Sequence, residues 1–297
     1  MTATRRVVVA YRPTEWEQLL DRHATPGQAR FFLRTRERDV EEVLARHQQQ
    51  LEAITQIERS IPSTWRRAQI SRAEFAGFLF EPEDIVVAIG QDGLVPNLAK
   101  YLSGQPVVGV NPDASRFEGT LVRFSPAEAG DVMAAAHEGS APLEERAMVE
   151  ARLDDGQQLS ALNEIFVGHR SHQSARYVLE CPGGSERQSS SGLIVTTGTG
   201  STGWARSIAT ERKSTLALPL PTERSLAFFV REAWPSVATG NQLTQGALDD
   251  SSPLVVVSEM NEGVAFGDGI EADRLSLNWG QTVTIGLARQ VLRLVTP

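Results

Sequence analysis

The chain has 297 residues, 41% of them hydrophobic and 22% charged, with a formal net charge of −8. That length suits two domains or one large one with an ample core, and the acidic balance disfavours nucleic acid as the main partner, because a phosphate backbone attracts a basic surface. Cys181 is the one cysteine, no apolar run reaches the length of a membrane span, and no signal-peptide core follows Arg5 and Arg6, so a cytoplasmic protein without internal disulfides or a membrane partner is expected.

Residues 6–11 form a β-branched run that predicts a first strand. Thr14, Glu15, Trp16 and Glu17 have the form of a capping box, opening a helix with Trp16, Leu19 and Leu20 on its buried side. Pro26 and Gly27 predict a loop. From residue 35 to about 61 the apolar positions Val40, Val43, Leu44, Leu51, Ile54 and Ile57 recur at helical spacing, with Arg and Glu on a solvated face. Residues 85–89, IVVAI, make a short buried strand that Gly90, Gln91, Asp92 and Gly93 interrupt, and residues 97–102 read as the start of a helix. A third strand is expected at 106–110, and Ser125, Pro126, Ala127 and Glu128 look like another helix start. Strands alternating with helices predict a parallel sheet with crossover connections.

Past about residue 139 the pattern shortens. Asp155 and Gly156 signal a hairpin between alternating residues 147–153 and an extended stretch 159–168. Further strands are expected at 175–181, 192–197, 214–219, 225–230, 254–258, 274–278, 282–287 and 290–295, with 185–191 a polar loop. The fold class is therefore α/β: a Rossmann-like parallel-sheet domain over residues 1–140, then a β-rich domain, a sandwich or layered sheet, over 141–297.

Four stretches carry chemistry. In GQDGL, residues 90–94, Asp92 sits at the carboxyl end of a strand, where open α/β sheets bind ligands, and glycines let a phosphate approach the backbone. Gly109, Val110 and Asn111 close the next strand. Asn163 and Glu164 place an amide beside a carboxylate. In residues 192–204, GLIVTTGTGSTGW, a strand opens into a loop of Thr, Gly and Ser closed by an aromatic that could stack on a base. Each stretch alone has a plain reading, Asp92 as a helix N-cap for example; it is their order along one chain that points to a nucleotide. His169 and His172 lack Cys or carboxylate company at ligand spacing, so no protein-held metal is expected. A P-loop, HExxH and GxSxG are all missing from the sequence.

In this order the stretches resemble the NAD kinase family, whose GGDGT turn, GxN strand end, Asn-Glu pair and GLxxxTPTGSTAY segment are similar to GQDGL, GVN, NE and GLIVTTGTGSTGW here. Gln91, Leu94, Gly198 and Trp204 are the departures. The resemblance runs from about Val7 to the end of the chain, is strongest to the mitochondrial-type branch, and takes in Phe266, Gly267, Asp268 and Gly269 near the end. It implies transfer of the γ-phosphate of ATP, with Mg²⁺, to the adenosine ribose 2′-hydroxyl of NAD, giving NADP. Asp92 matches the family's candidate base. Gly93, Asn163, Glu164, Thr202, Gly203, Trp204 and Ser207 fall on segments that bind the dinucleotide. Small-molecule nucleotides are the implied partners, and a homo-oligomer the implied assembly. Two other readings stay open: an NAD(H)-binding sensor without phosphoryl transfer, motivated by Gln91 and Leu94, and a lipid kinase of the diacylglycerol or sphingosine type, which shares the GGDGT turn.

Overall fold

The computed structural model describes residues 5–116 and 118–297; Phe117, inside the VNPDASRFEG stretch, lies outside them. The chain divides into two compact units, Met1–Glu144 with Arg293–Pro297, and Glu145–Leu292.

The first unit runs β1 (Arg6–Tyr11), α1 (Glu15–His23), α2 (Pro26–Arg34), α3 (Val40–Ser60), β2 (Arg66–Ser71), β3 (Ile85–Ile89), α4 (Leu94–Ala99), β4 (Pro106–Val110) and α5 (Ala129–Glu138). Its strands lie in the order β2-β1-β3-β4, all parallel. The β-branched runs of β1, β3 and β4 are buried because helices cover the sheet: Val7, Val9, Val87 and Ile89 pack with Ile54 and Ile57 of α3 and Met133 of α5. The capping box at Thr14 is formed, and Trp16 and Leu19 are buried with Leu33 and Val43 in a smaller helical cluster.

Four local expectations shift. Pro26 does not start a loop. Thr25 caps the Gln28 N–H and Pro26 is the first residue of α2, a position that needs no N–H. The long helix begins at Val40, because the Asp39 carboxylate accepts the Glu41 and Glu42 N–H groups. The helix expected at 97–102 begins at Leu94, with Pro96 in its first turn. Glu128 does accept from the Ser125 N–H (2.7 Å) and Oγ (2.6 Å), but the helix proper starts at Ala129, three residues past Pro126, the expected first helical position. β2 has no counterpart among the predicted strands: RRAQIS buries only Ile70, as an edge strand can.

Asp84, at the entry to β3, is fully buried. Arg6 donates to it from Nε (2.9 Å) and Nη2 (2.6 Å), and the Glu81 N–H adds a third bond (2.7 Å). The hydrogen bond to Asp84 holds the Arg6 guanidinium above its usual value. Asp84→Ala leaves that charge without its partner and is expected to cost about 3 kcal/mol of stability. Urea unfolding measures this directly, and a loss below about 1 kcal/mol would show that the pair holds nothing together.

The second unit comprises β5 (Leu143–Leu153), whose first two residues belong to the first unit, then β6 (Gln158–Ala161), β7 (Glu164–His169), β8 (Ala175–Cys181), β9 (Gly184–Ser190), β10 (Leu193–Thr196), α6 (Trp204–Arg212), β11 (Leu226–Val230), β12 (Gln245–Leu248), β13 (Leu254–Ser258), β14 (Gly263–Gly267), β15 (Arg274–Leu277) and β16 (Thr282–Val295). One sheet runs β12-β11-β10-β7-β14-β15, and the other places β16, β13, β8 and β9 side by side, with β5 joining β16 to β6. Ile165, Val167, Val195 and Phe228 of the first pack with Val149, Tyr177, Leu179 and Val256 of the second in one core, which makes this unit a β-sandwich.

Residues 185–191 are not a loop: β9 pairs along all of β8, from Ala175 opposite Ser190 to Cys181 opposite Gly184. Of its buried polar side chains, Ser190 shares a hydrogen bond with the Tyr177 hydroxyl (2.8 Å) and Gln188 donates from Nε2 to the Leu243 carbonyl (2.9 Å), while Gln188 Oε1 has no partner among the described residues. Residues 214–219 form no strand, and Pro219 and Pro221 remove ladder donors there. The two strands expected at 282–287 and 290–295 are one, β16, whose Arg293 and Leu294 pair with Pro106 and Val107 of β4.

Candidate active site

In the first unit, the register sets where the turn lies. Tyr11 of β1 is opposite Ile89 of β3, and Ile89 is opposite Val110 of β4, so the chain leaves β3 at the carboxyl edge of the sheet. The Asp92 carboxylate is held there by three backbone donors: Leu121 (2.7 Å) and Val122 (3.1 Å) on Oδ1, and Thr120 (3.0 Å) on Oδ2. One lone pair of Oδ2 is left for a further donor. The loop that supplies these N–H groups lies against β4, and a Cβ on Gly109 would fall 2.0 Å from the Leu121 carbonyl oxygen. The glycine of the GVN strand end is thereby explained by close backbone approach. Asn111, also buried, accepts the Asp113 N–H on its side chain (2.9 Å). Gly93 and Gln91 are exposed on the wall of a cavity of about 370 Å³, while Leu94 turns inward and is buried.

In the second unit, three strand ends meet. β7 begins at Glu164 where β10 ends at Thr196 and β14 ends at Gly267. The Asn163 carbonyl accepts the Thr197 N–H (2.9 Å), and the Leu162 carbonyl accepts the Thr197 hydroxyl (2.5 Å). The same hydroxyl takes the N–H groups of Thr199 (3.1 Å) and Gly200 (3.3 Å), which curls residues 197–202 into a tight turn. A Cβ on Gly198 would stand 1.8 Å from the Leu220 carbonyl oxygen, so neither the proline of the resembling segment nor any other side chain fits. Gly198→Ala is expected to lower stability by about 2 kcal/mol or more by displacing one of the two backbones. An unchanged melting temperature would show that the 197–202 turn and the 220 segment are free to part.

Glu164 and Asn163 are partly buried beside this turn. Among the described residues neither the Glu164 carboxylate nor the Asn163 side-chain amide has a hydrogen-bond partner. Burial, and secondarily the charge of Asp268, push the Glu164 carboxyl up to about 7. Asp268, in the 266–269 stretch that the resemblance takes in, belongs to the site. It adopts a left-handed φ of 53° and its carboxylate accepts the N–H groups of Leu162 (3.0 Å) and Asn163 (2.7 Å), while its own N–H returns to the Glu164 carbonyl (3.1 Å). Its signal in the sequence was Gly-Asp-Gly, where a left-handed Asp between glycines marks a tight turn.

Thr202, Gly203 and Ser207 are exposed at the start of α6. Their hydroxyls reach only nearby carbonyls, Thr202 to Thr199 (3.1 Å) and Ser207 to Gly203 (3.4 Å). Trp204 stacks on Phe166, with centroids 6.0 Å apart and planes 17° apart, and the Arg231 guanidinium lies 5.1 Å from its centroid. The structure therefore brings Asn163, Glu164, Thr202, Gly203 and Trp204 onto one linked set of strand ends and turns, with Ser207 one helical turn on. Asp92 and Gly93 lie in the other unit. Among the described residues no three His, Cys, Asp or Glu side chains converge as a metal site, and His169 Nδ1 accepts the Ser171 N–H (3.1 Å). No helix among them is long and apolar enough to cross a membrane.

No family model matches the chain. An NAD kinase of Methylococcus capsulatus is 39% identical over 133 residues, which are 42% of this chain and 44% of that protein. An NAD kinase of Chlorobaculum tepidum is 27% identical over 217 residues, 71% of each. An NAD kinase of Methanospirillum hungatei is 32% identical over 129 residues, 42% of this chain and 46% of that protein. The matched part thus spans about half the length of the first and third and more of the second. The fold is that of yeast NADH kinase, solved with NADH (TM-score 0.63, 16% identity, all of this chain and 84% of that one). It is equally that of an Archaeoglobus fulgidus NAD kinase solved with ATP (TM-score 0.60, 18% identity, 98% and 93%).

Proposed function

We propose that this chain, a member of the NAD kinase family, transfers the γ-phosphate of ATP to the 2′-hydroxyl of the adenosine ribose of NAD, giving NADP. The observation that carries the reading is Glu164: a desolvated carboxylate without a hydrogen-bond partner, beside an equally partnerless Asn163 amide. The ribose 3′-hydroxyl supplies a donor that this carboxylate lacks, which leaves the 2′-hydroxyl proton free for another acceptor, and a hydroxyl or base nitrogen suits the amide. The NADH and ATP bound in the two related structures support the same substrates.

An alcohol is a weak nucleophile, so the reaction needs an acceptor for its proton as the new P–O bond forms. Asp92 is that acceptor in this reading. Its three backbone donors fix the carboxylate, and the remaining Oδ2 lone pair receives the hydroxyl proton. Gly93 lets the donor approach the turn without a side chain in the way. Thr202, Gly203 and Ser207 offer exposed polar groups along the dinucleotide, and Trp204 an aromatic edge. Mg²⁺ arrives on the donor's phosphates and neutralises charge there. A cytoplasmic homo-oligomer of the mitochondrial-type branch completes the reading.

The test is direct. Purified protein with NAD, ATP and Mg²⁺ is expected to form NADP, read by an NADP-specific dehydrogenase. Polyphosphate in place of ATP, and NADH in place of NAD, define donor and acceptor. Binding of NAD without turnover on any donor would leave a sensor rather than a kinase.

A further inference from the structure

The first unit carries positive charge that the chemistry above does not use. Three neighbouring parallel strands end level at the carboxyl edge of the sheet: Ser71 of β2 is opposite Tyr11 of β1, and Tyr11 is opposite Ile89 of β3. The next residues, Arg72, Arg12 and Gly90, therefore leave the sheet side by side. The 370 Å³ cavity opens at this edge, with Arg12, Gly90, Gln91, Gly93 and Asn97 on its wall.

The charges of this region are not balanced alike. Arg46, also on the wall, is 3.5 Å from Glu15, which in turn holds Arg38 at 2.9 Å. By contrast, among the described residues neither the Arg12 nor the Arg72 guanidinium makes an ion pair or a side-chain hydrogen bond. They face each other's charge: Arg72 is held below its usual value, first by burial and then by Arg12. Arg72 is partly buried and Arg12, on the cavity wall, is exposed; two like charges brought together repel, and an anion between them relieves the repulsion. The planar fork of each guanidinium matches phosphate oxygens, and the carboxyl edge of a parallel sheet is where such folds receive ligands.

We propose that Arg12 and Arg72 bind the terminal phosphates of the phosphate donor and hold it against the 90–93 turn. They are positioning residues, set on strand ends outside the GQDGL stretch itself. The anion's identity as donor rests on the kinase reading; the site as a polyanion site does not. A nucleoside triphosphate and a polyphosphate share the chemistry these residues recognise.

Isothermal titration of the full chain with inorganic tripolyphosphate, MgATP and NAD, on the wild type, Arg12→Gln, Arg72→Gln and the double variant, tests this. Each single variant is expected to weaken tripolyphosphate and MgATP binding about 10- to 100-fold, with Arg12→Lys recovering part of the loss. NAD affinity is expected to stay within about twofold, since both residues belong to the first unit and the Asn163 and Glu164 segment to the second. In the NADP assay the variants raise KM for the donor and leave KM for NAD unchanged. Tripolyphosphate bound as tightly as MgATP points to polyphosphate as donor, and tighter MgATP to the nucleotide; both support the site. No tripolyphosphate binding by the wild type, or an unchanged Kd in the double variant, overturns the proposal. So does an equal loss of NAD affinity. Arginine-dependent tripolyphosphate binding with no NADP formed by the wild type would defeat the kinase reading and leave this site standing.

Discussion

Asp92→Asn is expected to lower kcat for NADP formation by about 10²- to 10⁴-fold while KM for NAD changes little. The amide keeps the size of the carboxylate and one carbonyl oxygen, so Leu121 and Val122 retain their acceptor. It offers an N–H₂ where Oδ2 stood, and the Thr120 N–H then faces a donor instead of an acceptor. That mismatch costs about 1–3 kcal/mol of stability, which thermal unfolding reads separately from rate. The two effects can be told apart because the proton acceptor matters only during transfer. Loss of kcat with intact NAD binding and a melting point lowered by a few degrees supports the base. If kcat survives, the carboxylate is only the clasp that ties the turn to residues 120–122. Asp92→Ala sharpens the distinction, since it removes all three anchors at once and should unfold more readily than Asp92→Asn.

The features that were legible before the structure were those dictated by local chemistry. β-branched runs marked β1, β3 and β4 because a parallel sheet covered by helices buries both faces. Thr14 and Glu17 announced α1 through a reciprocal cap that needs only four residues. What stayed hidden depends on partners far along the chain. β9 is made of Ser, Glu, Arg and Gln, and becomes a strand only because β8 pairs with every residue of it. β2 is polar because one side of it has no neighbour in the sheet. The return of Arg293 to Pro297 to the first unit is likewise set by partners far along the chain, pairing with β4 and burial of Val295 in that unit's core. The site divides in the same way. Asp92, Asn163 and Glu164 stand in recognisable words. Asp268 is bound to Asn163 and Glu164 across more than a hundred residues, and Arg12 and Arg72 become neighbours only through the register of β1 and β2.

Glu164→Gln is expected to make the protein more stable and less able to bind NAD, and the two changes should depend on pH in opposite ways. Glu164 is desolvated and faces Asp268, so its carboxyl sits at about 7 in the folded protein against an ordinary 4.5. A raised carboxyl means that the folded state holds the proton more firmly than the unfolded chain does. Its favourable contribution is then complete below about pH 4.5 and is lost as the pH rises through about 7. Above that point, keeping an ionised Glu164 in place costs on the order of 3 kcal/mol. Glutamine carries no charge at any pH, so the variant should exceed the wild type in stability by about that amount at pH 8.5 and converge with it near pH 4.5. Binding should run the other way. The carboxylate form accepts hydroxyl donors most strongly, so wild-type affinity for NAD should improve between pH 6 and 8. The variant should bind about 10- to 100-fold more weakly at pH 8 and show no such slope. Unfolding curves and NAD titrations across that range give both answers from one pair of proteins. A variant that is less stable at pH 8.5, or that binds NAD as well as the wild type, would make Glu164 a structural strand residue. A gain in stability joined to a loss of affinity is what a residue kept for its ligand, against the interest of the fold, must show.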